Sequence, residues 1–167
     1  MPPKFTFGHF CGTLSVSRTS YPDVKLLDDQ AGWIAVEQGQ TPPTILLVED
    51  DQSIQSMVEE ALTEGGFEVT IFASGEEAVA ALKHKTFRAV VSDIHLSGKL
   101  DGWDVARMAR DSNPALPIIY MTGAAAEEWA SKGVPNSVLL TKPFAPAQLV
   151  TAVSQLLNAG TPTGNAP

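Results

Sequence analysis

The middle of the chain alternates between short apolar runs and amphipathic segments. The first apolar run, TILLVED, covers residues 44–50, and apolar residues recur on one helical face of the segment 52–66, which stops at Gly65. The order of strand and then helix repeats five times. Further strands are predicted at 67–73, 87–94, 116–123 and 137–142, and further helices at 74–85, 102–110, 125–133 and 145–160.

The predicted strands are apolar on both faces and are joined by helices. Such strands form a parallel sheet with helices on each side, because a parallel crossover needs a long connection that covers one face. The pattern therefore predicts an α/β fold, a doubly wound sheet of five parallel strands with five helices. Ligands of such sheets bind beyond the carboxyl ends of the strands, where the strand order reverses.

Polar residues stand at the carboxyl ends of four of these strands. They are Glu49, Asp50 and Asp51 after the first strand, Asp93 after the third, Thr122 after the fourth and Lys142 after the fifth. Each has an ordinary structural interpretation, since acids cap helices, threonine occupies turns and lysine is often a solvated charge. Their presence together, at corresponding ends of the strands, favours one shared chemical site.

The chemistry of this set points to a metal ion and a phosphoryl group. Carboxylates that share a pocket raise each other's pKa unless a cation is present. Oxygen ligands without a His or Cys cluster favour Mg²⁺, which also binds phosphate oxygens. A carboxylate that reacts with a phosphoryl donor forms an acyl phosphate. Lys142 and Thr122 would then bind two more phosphoryl oxygens.

Four motifs occur in register along the same residues. They are ILLVEDD at 45–51, VVSDI at 90–94, MTG at 121–123 and LLTKPF at 139–144. In this order and spacing they resemble the receiver domain of two-component response regulators, and the resemblance covers residues 44–157. It implies a flavodoxin-like fold with the strand order 2-1-3-4-5.

The resemblance also implies the metal ligands. Asp93 corresponds to the phosphoryl acceptor, and Glu49 with Asp50 corresponds to the acidic pair, in which Asp50 is the direct Mg²⁺ ligand. The third protein ligand is implied to be the backbone carbonyl of His95, so the imidazole is not predicted to bind the metal. Asp51 is expected outside the metal's immediate ligands.

The remaining site residues and the departures from the family pattern follow from the same resemblance. Thr122 matches the family's hydroxyl residue and Lys142 its lysine, with a cis peptide bond expected before Pro143. The loop HLSGKLDG is one residue longer than usual, as in receivers associated with hybrid sensor kinases. Leu139 stands where the family usually has a rotating aromatic residue. The small Ala124, with His95, is expected to influence the lifetime of the phosphoryl group.

The resemblance implies a phosphorylation-dependent signalling switch that is not an enzyme. Its donor would be a phosphohistidine on a sensor histidine kinase or histidine phosphotransfer protein, and a downstream protein would read the face of the fourth helix and fifth strand. Trp129, Glu127 and Glu128 are the candidate contacts, with a core position as the alternative for Trp129, since a lone Trp is more often part of a core. A phosphorelay intermediate or phosphate sink is the alternative, and a phosphatase or a flavodoxin-like electron carrier are alternatives from other classes. No output domain is recognised after residue 157, which predicts a single-domain regulator.

Composition and the chain ends complete the prediction. Eleven basic and nineteen acidic residues give a net charge of -8, which disfavours direct binding to nucleic acid or an anionic membrane. The lone Cys11 is interpreted as an incidental thiol, and a cytoplasmic location is expected. Residues 1–42 are predicted to be an irregular or partly disordered extension, 43–158 the receiver domain, and 159–167 a tail.

Overall fold

The structure, a computed structural model, describes residues 41–159. Within this range five strands alternate with helices, as the sequence predicts. The strands are β1 (Thr44–Val48), β2 (Glu68–Phe72), β3 (Ala89–Asp93), β4 (Ile118–Thr122) and β5 (Val138–Thr141). The helices are α1 (Gln52–Glu64), α2 (Gly75–Leu82), α3 (Gly102–Ser112), α4 (Trp129–Lys132) and α5 (Pro146–Ala159), and a 3₁₀ turn, Ala126–Glu128, precedes α4. The predicted extension, with Cys11, and the predicted tail lie almost entirely outside the described residues.

The five strands form one parallel sheet in the order β2-β1-β3-β4-β5, which confirms the predicted fold. The chain adds strands on one side of β1 and then on the other, so the strand order reverses between β1 and β3. The register pairs Val48 with Ser92 and Asp93 with Met121. The residues that follow β1, β3 and β4 therefore lie at one edge of the sheet.

Helices cover both faces of the sheet and bury two apolar clusters. On one side α1 and α5 contribute Val58, Leu62, Leu149 and Val153, all fully buried, and we call this side the aliphatic face. On the other side α2 and α3 pack over a cluster that contains Trp103 and Tyr120, and we call it the aromatic face. Burying one large apolar side chain contributes about 1.5–3 kcal/mol, so both faces stabilise the fold.

Side chains cap the helices that start near the carboxyl edge. The carboxylate of Asp51 accepts hydrogen bonds from two amides in the first turn of α1, at 2.8 and 3.1 Å. Ser74 accepts from the amide of Glu77 at 3.3 Å and caps α2. A full capping box between Asp101 and Asp104 starts α3, although the sequence analysis missed it. None of the helices between residues 41 and 159 has the length and apolar character needed to cross a membrane.

Candidate functional site

Three carboxylates meet where β1 and β3 end. One carboxylate oxygen from each of Glu49, Asp50 and Asp93 lies within 4.8 Å of the others. Glu49 and Asp50 directly follow β1, and Asp93 is the last residue of β3. Glu49 is only 1% exposed, whereas Asp50 is exposed. The structure therefore brings together the three acids that the sequence predicts, with one of them open to solvent.

Lys142 reaches into this cluster from the residues after β5. Its Nζ donates hydrogen bonds to Glu49 Oε2 at 2.7 Å and to Asp93 Oδ2 at 2.8 Å. Its backbone amide donates to the carbonyl of Thr122 at 2.7 Å, and the peptide bond to Pro143 is cis, as predicted. One ammonium group therefore pairs with two neighbouring carboxylates and offsets part of their negative charge, and the backbone of Lys142 is fixed to the end of β4.

Burial and ion pairing shift the pKa values inside the cluster. Burial raises the pKa of Glu49 above its ordinary value, and the hydrogen bond from Lys142 only partly offsets this. Burial alone would lower the pKa of Lys142, but the hydrogen bonds to Asp93 and Glu49 outweigh it, and the net pKa is raised. Lys142 therefore stays protonated near neutral pH and supplies a permanent positive charge.

Thr122 lies at the same edge, at the end of β4. Its side chain is fully buried, and its Oγ1 accepts hydrogen bonds from the amides of Ala124 and Ala125 at 3.2 and 2.8 Å. A hydroxyl that accepts in this way still has its own hydrogen to donate. Thr122 is thus both a turn residue and a hydrogen-bond donor held in a fixed position.

The loop after β3, residues 94–101, borders the cluster, and we call it the acceptor loop. The amide of His95 donates to Asp93 Oδ1 at 3.3 Å, and the amide of Ser97 donates to Asp50 Oδ2 at 3.0 Å. The side chain of His95 is exposed and is not part of the acidic cluster. The predicted role of its backbone carbonyl as a metal ligand stays a prediction.

Gly102 closes the acceptor loop against the backbone of Asp93. Its amide donates to the carbonyl of Ile94 at 2.9 Å. A Cβ at this position would lie 2.1 Å from the carbonyl oxygen of Asp93, so a larger residue would push against the backbone of the site. Residues 97–99 are exposed, so the extra residue predicted in this loop fits without displacing the core before the chain reaches Gly102.

The donor set of the cluster fits Mg²⁺. Glu49, Asp50 and Asp93 offer only carboxylate oxygens, and Asp50 is exposed enough for water to complete the coordination. A hard, oxygen-preferring cation would also remove the repulsion between the three acids. Asp51 is not a member of this cluster, and its carboxylate instead caps α1. Its place outside the metal's immediate ligands stays a prediction.

Comparison with known proteins decides the family. The sequence model of the response regulator receiver domain matches residues 45–154. The chain belongs to the response regulator receiver family. This receiver is 33% identical over 117 residues to the response regulator receiver protein CpdR of Brucella abortus, a match that covers 69% of the chain and 97% of CpdR. It is 32% identical over 118 residues to the transcriptional regulatory protein CusR of Escherichia coli, but it spans only about half (52%) of that longer relative.

Solved receiver structures agree with this assignment. A response regulator receiver protein from Sinorhizobium medicae superposes with a TM-score of 0.70 at 50% identity, over 72% of this chain and 98% of that one. The receiver domain of the sensor histidine kinase PA1611 from Pseudomonas aeruginosa, with a magnesium ion coordinated in its active site cleft, superposes with a TM-score of 0.62 at 29% identity, over 70% and 98%. Receiver domains bind Mg²⁺ at an acidic site and interact with histidine kinases and phosphotransfer partners. Residues 45–154 therefore form a receiver domain, the phosphorylatable signalling switch of two-component systems, and this family replaces the phosphatase and electron-carrier alternatives.

Tyr120 is a residue of interest that the sequence analysis missed. It is fully buried in β4, and its ring centroid lies 4.6 Å from that of Trp103. Its hydroxyl accepts a hydrogen bond from the amide of Val134 at 3.3 Å. In the sheet register it pairs with Leu139, the residue that replaces the usual aromatic on β5. The receiver therefore carries a buried aromatic ring on β4, beside the position on β5 where the family usually has one. The apolar pattern of the strand does not distinguish this tyrosine from any other core residue.

The three predicted partner contacts near α4 have different environments. The indole of Trp129 is partly buried against the aromatic face, and its Nε1 donates to Ser137 Oγ at 3.0 Å. Glu127 and Glu128 are exposed, and Glu128 forms an ion pair with Lys132. Trp129 thus has a packing role, whereas the two glutamates are on the surface.

Proposed function

We propose that this receiver accepts a phosphoryl group on Asp93 from a phosphohistidine of a sensor histidine kinase or a histidine phosphotransfer protein. The observation that carries the proposal is the contact of Lys142 Nζ with both Asp93 and Glu49, inside a cluster that opens to solvent at Asp50. A partly buried ammonium group on one side and an exposed acid on the other are what an incoming phosphoryl group and its metal ion require.

The transfer itself is a displacement at phosphorus. An oxygen of Asp93 attacks the phosphorus atom, the new O–P bond forms, and the P–N bond to the donor histidine breaks. The electron pair of that bond returns to the imidazole, which takes up a proton. The product on the receiver is an acyl phosphate at the end of β3.

The surrounding residues supply charge and hydrogen bonds to the transferred group. Lys142 already binds Asp93 Oδ2 and pairs with a phosphoryl oxygen after transfer, while the hydroxyl of Thr122 donates to another. Asp50 and Asp93 would hold Mg²⁺, with Glu49 beside the metal site and the carbonyl of His95 as a third protein ligand. When bound, Mg²⁺ neutralises the negative charge that the carboxylates and the phosphoryl group would otherwise bring together.

The output surface that we propose is the face of α4 and β5. The pull of the new charge on Thr122 acts on the turn at Ala124 and Ala125, whose amides bind its hydroxyl and which leads into the 3₁₀ turn before α4. Exposed Glu127 and Glu128 would meet a partner of complementary positive charge. The receiver domain would act through such contacts, in the cytoplasm, and not as an enzyme.

A phosphorelay intermediate or phosphate sink is the second candidate. Ala124 is small and exposed beside the site, which favours access of water to the acyl phosphate. A receiver of this kind loses its phosphoryl group quickly or passes it back to a histidine phosphotransfer protein. Measured transfer to such a partner, faster than hydrolysis, would favour this candidate over a switch that acts by docking.

The test of the acceptor is covalent labelling with a small donor. Acetyl phosphate or phosphoramidate with Mg²⁺ should add about 80 Da to the intact protein, the mass of one phosphoryl group, and EDTA should prevent it. Asp93→Asn should abolish the addition, whereas Asp111→Asn, an exposed residue at the end of α3, should retain it. Unchanged labelling of Asp93→Asn would overturn the assignment.

A further inference from the structure

Two carboxylates outside the loop hold the backbone of the acceptor loop. The amide of Ser97 donates to Asp50 Oδ2 at 3.0 Å, and the amide of Lys99 donates to Glu76 Oε1 at 2.7 Å. Leu96 and Leu100, on either side of these two hydrogen-bonded residues, are partly buried against the aromatic face. The exposed part of the loop is thus fixed by two charge-assisted hydrogen bonds, which are stronger than neutral ones.

Glu76 belongs to the first turn of α2 and has no role in the chemistry proposed above. Its carboxylate lies directly against the loop, since a Cβ added to Gly98 would be 2.8 Å from Glu76 Oε2. The hydrogen bond from the amide of Lys99, followed by those from the amides of Glu76 itself and Leu100, holds the pKa of this carboxyl below its ordinary value. Glu76 therefore binds the loop as an anion at neutral pH.

We infer that Glu76 is a positioning residue for Mg²⁺ binding, which acts through the acceptor loop. The inference rests on the proposed function. Fixing Lys99 keeps the amide of Ser97, two residues earlier, against Asp50, and it orders the stretch that carries the carbonyl of His95. Two of the proposed metal ligands thus depend on a loop that Glu76 holds.

The size of the effect follows from how metal sites respond to their supporting hydrogen bonds. Removing a group that bonds directly to a ligand typically weakens metal binding about 10–100-fold. Glu76 acts one step further away, through the backbone from Lys99 to Ser97, so we expect a loss of about threefold to tenfold. Neighbouring Glu77 is also exposed on the first turn of α2, and its substitution changes the charge equally.

The first experiment titrates Mg²⁺ into the full chain by calorimetry and measures amide hydrogen exchange without metal. Glu76→Ala should raise the Mg²⁺ dissociation constant about threefold to tenfold and should speed exchange at Ser97 and Lys99. Glu76→Gln should fall between Glu76→Ala and the parent protein, because its amide oxygen still accepts, and Glu77→Ala should match the parent protein. Equal dissociation constants for Glu76→Ala and Glu77→Ala would overturn the inference.

A second set of variants separates positioning from general loss of structure. Melting temperatures of Glu76→Ala and Glu77→Ala should agree within a few degrees, as expected for exposed positions. Gly98→Ala should weaken Mg²⁺ binding by displacing the carboxylate, and it should weaken it less when Glu76 is already Ala. Additive effects of Gly98→Ala and Glu76→Ala would contradict the inference. If the parent protein itself binds no Mg²⁺, the proposed function fails as well, whereas normal binding by Glu76→Ala overturns the inference alone.

Discussion

The two faces of the sheet are built from different kinds of side chain. Buried residues of the aliphatic face are aliphatic or methionine, among them Leu62, Met121 and Leu149. The aromatic face instead buries Trp103 and Tyr120, whose rings are tilted by 53° to each other. Contacts between nonpolar side chains stabilise the fold but do not depend on a particular orientation. Tyrosine and tryptophan also carry hydrogen-bonding groups, which fix the positions of their neighbours.

Those hydrogen-bonding groups link the segments around α4 and β5. Tyr120 accepts from the amide of Val134, Trp129 donates to Ser137 Oγ, and Ser137 in turn donates to the carbonyl of Val134 at 2.6 Å. Trp103 directly follows Gly102, which packs against the backbone of Asp93. The aliphatic face thus supplies stability, whereas the hydrogen bonds of the aromatic face run between the segment next to Asp93 and the output surface that we propose.

The largest effect should come from the aliphatic face. Leu149→Ala removes a fully buried side chain and should lower the free energy of unfolding by about 2–5 kcal/mol, measured by urea denaturation. Leu157→Ala, at a partly buried position of the same helix, is the control and should cost less. Mg²⁺ affinity of the folded Leu149→Ala protein should not change, and a marked loss of affinity would show that this face also shapes the site.

The acidic cluster and Lys142 lie at the edge that both faces share, and breaking their ion pairs should give the second-largest loss of unfolding free energy. Lys142→Ala leaves Glu49 buried without its cation and should lower the free energy of unfolding by about 1–3 kcal/mol. Mg²⁺ should recover part of this loss by supplying another cation. Lys132→Ala breaks an exposed, solvent-screened pair with Glu128 and should lower the free energy of unfolding much less than Lys142→Ala, with no gain from Mg²⁺. Equal losses in the two variants would argue against the buried cluster.

A smaller effect is expected from the hydroxyl of the aromatic face. Tyr120→Phe keeps the ring beside Trp103 but leaves the amide of Val134 without this acceptor, at a cost of about 1–2 kcal/mol. Phosphorylation should then change tryptophan fluorescence less than in the parent protein. An unaltered fluorescence response would mean that the site does not act through Tyr120.

The smallest effect should come from the indole of Trp129. Trp129→Phe keeps most of the apolar contact and removes the hydrogen bond to Ser137, which still donates to Val134. We expect a loss of about 0.5–1 kcal/mol in urea denaturation. If Trp129→Phe lowers the free energy of unfolding more than Tyr120→Phe does, the order of effects expected on the aromatic face is wrong.

Much of the fold was predictable because its signals are local. Runs that are apolar on both faces mark buried parallel strands, and the stop at Gly65 marks the end of α1 within two residues. The fourth helix differs from its prediction, because the segment predicted as one helix begins as a 3₁₀ turn. The hydroxyl of Thr122 binds the amides of Ala124 and Ala125, and so shapes the backbone just before that turn.

The acidic cluster was predictable for a topological reason. Carboxyl ends of parallel strands meet at one edge, so Asp50, Asp93 and Lys142 could be placed together without knowledge of any distance. The hydrogen bonds of Ser97 and Glu76 could not be predicted, because one partner is a backbone amide in an irregular loop. Tyr120 was missed because a tyrosine in an apolar strand looks like any core residue.

Chemical trapping of the acyl phosphate tests the central claim most directly. Borohydride reduces an aspartyl phosphate to homoserine, which lowers the mass of that residue by about 14 Da and identifies it by peptide sequencing. After treatment with acetyl phosphate and Mg²⁺, the account predicts this change at Asp93 and its loss when Mg²⁺ is chelated. Homoserine at any other aspartate, or none in a protein that gained a phosphoryl group, would contradict the account.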